Sequence, residues 1–156
     1  DRMPKRRDLI RMTDEELWRF VAERRTLQVA TINRDGTPQL TTLWFALVDG
    51  AIVFETFTKS QKIVNLRRDP RLAVLVEDGD RYEELRGVSI NGRAEVVVEP
   101  AEVARYAAAV VAKYMPDLPP EGRAEAAKML ARKRTVVVVR PERIASWDHR
   151  KLAGGY

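Results

Sequence analysis

A dense group of polar side chains follows an apolar run in the first half of the sequence. The stretch ETFTKSQKIVNLRRDPR, residues 55–71, brings together hydroxyl, amide and ammonium groups: Thr56, Thr58, Lys59, Ser60, Gln61 and Lys62. Ile63 and Leu66 follow at helical spacing, so we expect a helix to begin near Ser60. The first N–H groups of a helix attract phosphate. The stretch therefore indicates either a phosphate cradle or an ordinary helix N-cap beside solvated lysines.

Side chains for conventional catalysis are scarce. His149 is the only histidine and there is no cysteine, which excludes disulfides, thiolate metal sites and clusters of histidine ligands. The glycine-rich nucleotide-binding motifs and the G-x-S-x-G motif are also absent from the sequence. If the protein is an enzyme, we expect a bound organic cofactor to supply the chemistry, and no catalytic residue or metal site is assigned.

The composition favours one globular domain over residues 1–156, with 45% hydrophobic residues and a net charge of +5. The positive charge favours anionic partners. Apolar runs are too short for a membrane span, and the lack of cysteine suits a reducing cytoplasm, where we expect the protein to reside. Aromatic residues are few and do not alternate with basic ones, so no nucleic-acid partner is expected.

Turn signals and periodicity predict a mainly β, α+β chain. Thr13 and Glu16 form a capping box for a first helix. Residues 27–57 contain three strand-like runs separated by hairpin signals. A long strand is expected to bend at Gly92, and Pro141 is expected to divide the last apolar run into two strands. Residues 1–12 are predicted to be a flexible arm, and residues 101–133 a helical insertion.

Three segments together resemble a known family. They are residues 29–78, from VATINRDG to LVED, then YEELRGVSINGRAEVV and RPERIASWDHRKL. Their order and spacing resemble the pyridoxamine 5'-phosphate oxidase-like flavin and deazaflavin oxidoreductases. The resemblance implies a six-stranded antiparallel split β-barrel, the FMN-binding split barrel, with peripheral helices. Within this family, LWF, NLRRDPR and SWDHRK look most similar to the branch that uses coenzyme F-420.

The resemblance also implies a cofactor site. The family's phosphate-binding positions correspond here to Thr56, Ser60, Gln61 and Lys62, with Gln61 in place of an arginine and Lys59 beside it. The strand that meets the cofactor ring corresponds to Thr41, Thr42, Leu43 and Trp44. Asn65, Trp147 and Lys151 complete the expected cofactor-binding set. Packing roles stay open for Trp44 and Trp147, and a turn-capping role for Asn65.

Two departures from the family pattern favour F-420 over FMN. Gln61 removes a bidentate phosphate contact, and Gly87 replaces a glutamine that meets the flavin in the oxidases. Lys59, Arg67 and Arg68 stand where the acidic tail of F-420 could follow.

The activity implied by the resemblance is hydride transfer between F-420 and a small organic substrate. The implied assembly is a homodimer with cofactor clefts between its subunits. The alternatives are an FMN-binding oxidase or reductase and a non-enzymatic protein that binds a flavin-like or anionic ligand.

Overall fold

Seven strands form one antiparallel sheet in the computed structural model, which describes residues 2–152. The strands are β1 (Leu27–Ile32), β2 (Pro38–Leu43), β3 (Ala46–Val48), β4 (Ala51–Phe57), β5 (Arg71–Asp78), β6 (Arg86–Val97) and β7 (Arg134–Asp148). The helices are α1 (Arg6–Leu9), α2 (Asp14–Glu23), α3 (Gln61–Arg68), α4 (Pro100–Tyr114) and α5 (Pro120–Ala131). The strand order is β2-β1-β5-β6-β7-β4-β3.

The family-based fold prediction is confirmed as a mainly β, antiparallel split-barrel chain with peripheral helices, but the strand count differs. The sequence predicted six strands and the sheet has seven. The extra strand is the short β3, which is linked to β2 by Trp44 and Phe45 and forms a hairpin with β4. The predicted helical insertion consists of α4 and α5.

Gly92 and Pro141 lie opposite each other in an irregular part of the β6–β7 ladder. The register shifts between Asn91 and Gly92, which confirms the predicted bend. A Cβ atom at Gly92 would lie 2.2 Å from the Arg140 carbonyl oxygen, so the backbone approach there requires glycine. The prediction that Pro141 ends a strand is wrong. β7 continues through it because the bulge accommodates a residue without an N–H donor.

Two buried clusters organise the packing on the two faces of the sheet. The larger cluster combines alternate strand residues such as Val29 and Val74 with Phe20 of α2 and Leu66 of α3. The smaller cluster packs strands β3, β4 and β7 against α4, where Val103 and Val110 are buried. The strand alternation therefore gives the sheet two apolar faces in its β4–β7 part.

Met12, which lies just before α2, attaches the N-terminal segment to the core of the protein. Residues 6–9 form α1, and Met12 is buried in the larger cluster. The Met12 N–H donates to the Ser146 hydroxyl at 3.1 Å. The flexibility predicted for residues 1–12 stays a prediction.

No helix within residues 2–152 combines the length and the apolar character needed to cross a bilayer.

Candidate functional site

The polar stretch after β4 forms the N-terminus of α3. Ser60 is the N-cap, and its hydroxyl accepts a hydrogen bond from the Ile63 N–H at 3.4 Å. The Thr56 hydroxyl lies 3.4 Å from the Ser60 hydroxyl. The N–H groups of Gln61 and Lys62 belong to the first turn and have no intrahelical acceptor. Hydroxyls and backbone donors therefore converge at the positive end of the helix dipole.

Two lysines accompany this helix end. Lys59 is exposed, whereas Lys62 is partly buried, and desolvation lowers the pKa of its ammonium group. The Gln61 side chain donates to the Asn65 side-chain oxygen at 2.8 Å, along the helix. The charge available to an anion here therefore comes from lysines, since the guanidinium expected at position 61 in the oxidases is missing.

Asn65 joins α3 to the sheet. It is fully buried, and its side-chain nitrogen donates to Thr31 Oγ1 and Asn33 Oδ1, both at 3.0 Å. Its side-chain oxygen accepts from Gln61 and, at 3.2 Å, from Arg68, which also donates to the Ile32 carbonyl. The amide thus positions α3, and a contact between Asn65 and a cofactor stays a prediction.

The strand predicted to meet the cofactor ring is β2, which pairs with β1, the strand that carries Thr31 of this network. Thr31 also donates to the Gln39 side chain at 3.1 Å, and β1 pairs Thr31 with Gln39 and Val29 with Thr41. Thr41 points toward the core side, and its covered hydroxyl has no hydrogen-bond partner among the described residues. Thr42 points to the opposite face and is exposed. An unpaired, covered hydroxyl is unusual in a folded protein.

Leu43 and Trp44 continue the strand toward α4. Leu43 packs against the larger core cluster. Trp44 is 44% exposed, and its ring stacks on Tyr114 with centroids 4.3 Å apart and planes at 8°. The packing role left open for Trp44 is therefore present, while part of its surface remains accessible.

Trp147 lies over Gly87. A Cβ atom at Gly87 would lie 2.1 Å from the Trp147 indole, so glycine there makes room for the ring. Sequence comparison suggested that Gly87 marks a lost cofactor contact, whereas the structure gives it a packing reason.

Lys151 and His149, which follow β7, form hydrogen bonds within the chain. The Lys151 ammonium donates to Glu16 at 2.7 Å and to the Arg11 carbonyl at 3.1 Å. This contact, together with hydrogen bonds from Thr13, lowers the pKa of Glu16 to about 2. His149 Nδ1 lies 2.6 Å from the Tyr82 carbonyl oxygen. The structure therefore brings together Thr56, Ser60 and the first turn of α3, and Asn65 of the same helix reaches β2 through Thr31 and Gln39. Trp44, Trp147 and Lys151 contact other parts of the chain.

Glu55 is a notable residue that sequence reasoning missed. It precedes Thr56 on β4, and its Oε2 atom is covered and has no hydrogen-bond partner among the described residues. Burial raises the pKa of the carboxyl to about 7, opposed by the charge of Arg134. The signal was one acidic residue within the apolar strand AIVFETF.

One family model matches most of the chain, and solved structures share its fold. The family model described as pyridoxamine 5'-phosphate oxidase matches residues 13–148. The conserved hypothetical protein Rv2991 of Mycobacterium tuberculosis is 46% identical, with a TM-score of 0.89 over 96% of this chain and 93% of that one. A protein described as an F-420 reductase is 27% identical, with a TM-score of 0.61 over 81% of this chain and 94% of that one.

A more distant structure shows the fold alone. HutZ, the haem storage protein of Vibrio cholerae, is 16% identical, with a TM-score of 0.68 over 85% of this chain and 94% of that one. No curated protein gives a significant match.

Glu55 should make stability depend on pH. Because the pKa is raised in the folded state, the contribution of Glu55 to the free energy of unfolding is complete below about pH 4.5. That contribution is lost as the pH rises through about 7. Glu55→Gln should therefore stabilise the protein at pH 8 by roughly 1–2 kcal/mol, discounted for partial exposure, and change little at pH 4.5. Urea unfolding at the two pH values measures this. The control is Glu125→Gln, at an exposed position on α5, and an equal effect of Glu55→Gln at both pH values would contradict the prediction.

Proposed function

The chain belongs to the pyridoxamine 5'-phosphate oxidase family, as the match over residues 13–148 shows, and from that membership we propose that it is an F-420-dependent oxidoreductase. The observation that carries the proposal is the N-terminus of α3, where hydroxyls, free N–H groups and lysines converge without an arginine. A bound deazaflavin supplies or accepts a hydride, and the substrate is a small organic molecule with an electron-poor double bond.

The residues at the start of α3 would hold the cofactor's phosphate group. The N–H groups of Gln61 and Lys62 and the hydroxyls of Thr56 and Ser60 supply short-range donors. Lys62 adds a charge that is already partly removed from water, so its attraction to an anion is screened less than that of an exposed lysine. The β2 segment from Thr41 to Trp44 would lie along the ring, and its Thr42 side chain is exposed.

The preference for F-420 over FMN rests on fewer residues than the sequence suggested. Gln61 has no guanidinium group that could bind a terminal phosphate with two hydrogen bonds. Its side chain instead donates a hydrogen bond to Asn65. Gly87 makes room for the Trp147 indole, so this glycine no longer supports a preference for F-420 over FMN. Arg68 is engaged with Ile32 and Asn65, which leaves Lys59 and Arg67 as the exposed cations for an acidic tail.

A homodimer with shared cofactor clefts is part of the proposal. Five residues are paired in sequence across five neighbouring strands and face the outer side of the sheet: Thr42, Gln28, Leu75, Ser89 and Ala145. None of these five residues is buried, and Leu40 on the same face is 68% exposed. A second copy of the chain could cover this low-charge surface. Light scattering at micromolar concentration tests this point, and a monomer would remove the shared cleft.

FMN is the alternative cofactor, favoured by the family match itself. Paired titrations of the protein with F-420 and FMN, followed by ligand fluorescence at low and high salt, decide between them. We expect F-420 to bind more tightly, with a preference that shrinks as salt screens its acidic tail. Nanomolar FMN binding without F-420 binding would assign the FMN branch. Binding of neither would refute the redox role and favour a non-enzymatic ligand-binding function.

Lys62→Ala should weaken F-420 binding by about 1.5–3 kcal/mol, the range for a hydrogen bond to a charged group. The loss should be smaller at high salt. Lys128→Ala on α5 is the matched control, because Lys128 is exposed and pairs only locally with Glu125. Fluorescence titration measures both variants. An unchanged dissociation constant in a folded Lys62→Ala protein would place the phosphate elsewhere.

A further inference from the structure

The C-terminus of α4 meets the link between β2 and β3 through Tyr114. The Tyr114 hydroxyl donates to the Arg25 carbonyl at 2.8 Å and accepts from the Phe45 N–H at 3.2 Å. Its ring stacks on Trp44, which follows β2 directly and is the last residue of the proposed ring segment. Three separate parts of the chain are therefore held together at one tyrosine, so the groups around it are fixed in position.

Two cations flank this tyrosine. The Arg25 guanidinium carbon lies 4.5 Å from the Tyr114 ring centroid. Lys113 Nζ lies 3.6 Å from the centroid of the Phe45 ring and 5.3 Å from that of Tyr114. Within residues 2–152, neither cation takes part in an ion pair. The Lys113 ammonium is covered and has no hydrogen-bond partner there.

The contacts of the Lys113 ammonium group with ring faces compensate only part of its lost hydration. Removing it from water is costly unless an anion or hydrogen-bond acceptor replaces the water, and ring faces recover only part of that cost. Desolvation, reinforced by the charge of Arg25, lowers the pKa of Lys113 to about 8. Arg25 also donates a hydrogen bond to the Lys113 carbonyl oxygen at 3.4 Å, but neither cation faces a carboxylate among the described residues. The two cations therefore create a positive potential beside aromatic rings, and a bound anion would complete the arrangement.

We propose that Arg25, Lys113 and the Trp44–Tyr114 stack form a subsite for a planar organic anion, such as an aromatic or conjugated carboxylate. Arg25 is exposed and meets the carboxylate directly, while the accessible part of Trp44 meets the planar group. Lys113 is a positioning residue that attracts the anion through its charge. Assigning this anion as the substrate rests on the proposed oxidoreductase function, whereas binding itself does not. The subsite is separate from the phosphate cradle at α3.

The test uses the full chain without cofactor and two probes, 2-naphthoate and its neutral counterpart 2-naphthamide. Isothermal titration calorimetry should show naphthoate binding about tenfold more tightly than naphthamide, because only naphthoate carries the charge. Lys113→Met and Arg25→Gln should each weaken naphthoate binding about threefold or more and leave naphthamide binding unchanged. A purely structural role for Lys113 would weaken both probes equally. Lys128→Met removes an exposed lysine on α5 and should change neither affinity.

Equal affinities for the two probes, no naphthoate binding, or full naphthoate affinity in both variants would overturn the subsite. If Lys113→Met fails to fold by circular dichroism, Arg25→Gln decides the question, because its side chain is exposed. Since no cofactor is present, failure of F-420 binding would refute the proposed function and leave this result intact. Conversely, F-420 binding without naphthoate binding would refute the subsite alone.

Discussion

The buried amide of Asn65 is the interaction on which the candidate site depends. A side-chain amide with no solvent exposure must find protein partners for its donors and acceptor, or the fold loses several kcal/mol, on the order of the desolvation cost of a polar group. Asn65 finds them in β1, in the turn after β1 and on α3 itself. Those bonds fix where α3 lies against the sheet, and hence where its N-terminal donors point. The same network reaches Gln39 of β2, the strand that also carries the proposed ring segment, through Thr31.

Electrostatics follows from that geometry. Lys62 and Lys113 are both held partly away from water, and burial lowers the pKa of each ammonium group. Neither forms an ion pair within the described part of the chain, whereas many exposed arginines do. Lysines that lose water without gaining a carboxylate are costly to a fold. Their presence at α3 and at the end of α4 is consistent with two separate places for anionic groups, one for a cofactor phosphate and one for a substrate.

Local patterns in the sequence predicted much of this arrangement. The capping box at Thr13 and the helix after Ser60 depend on neighbouring residues and were confirmed. The bend at Gly92 was also confirmed, since a glycine within an alternating strand marks such a site. The continuity of β7 through Pro141 could not be predicted, because it depends on a bulge in a strand far away in sequence. The roles of Gly87 and Arg68 likewise depend on long-range partners, Trp147 and Ile32. Sequence spacing cannot reveal such contacts, and the burial of Glu55 was missed for the same reason.

The central claim is that F-420 binds across the start of α3 and along β2, and amide chemical shifts test it most directly. Uniformly 15N-labelled protein would be titrated with F-420, and backbone amide resonances followed in two-dimensional spectra. The account predicts that the largest shifts fall on Gln61 and Lys62 in the first turn of α3 and on Thr41 to Trp44 in β2. Saturable binding with those amides unchanged, and with shifts confined to the α4–α5 side of the sheet, would contradict it.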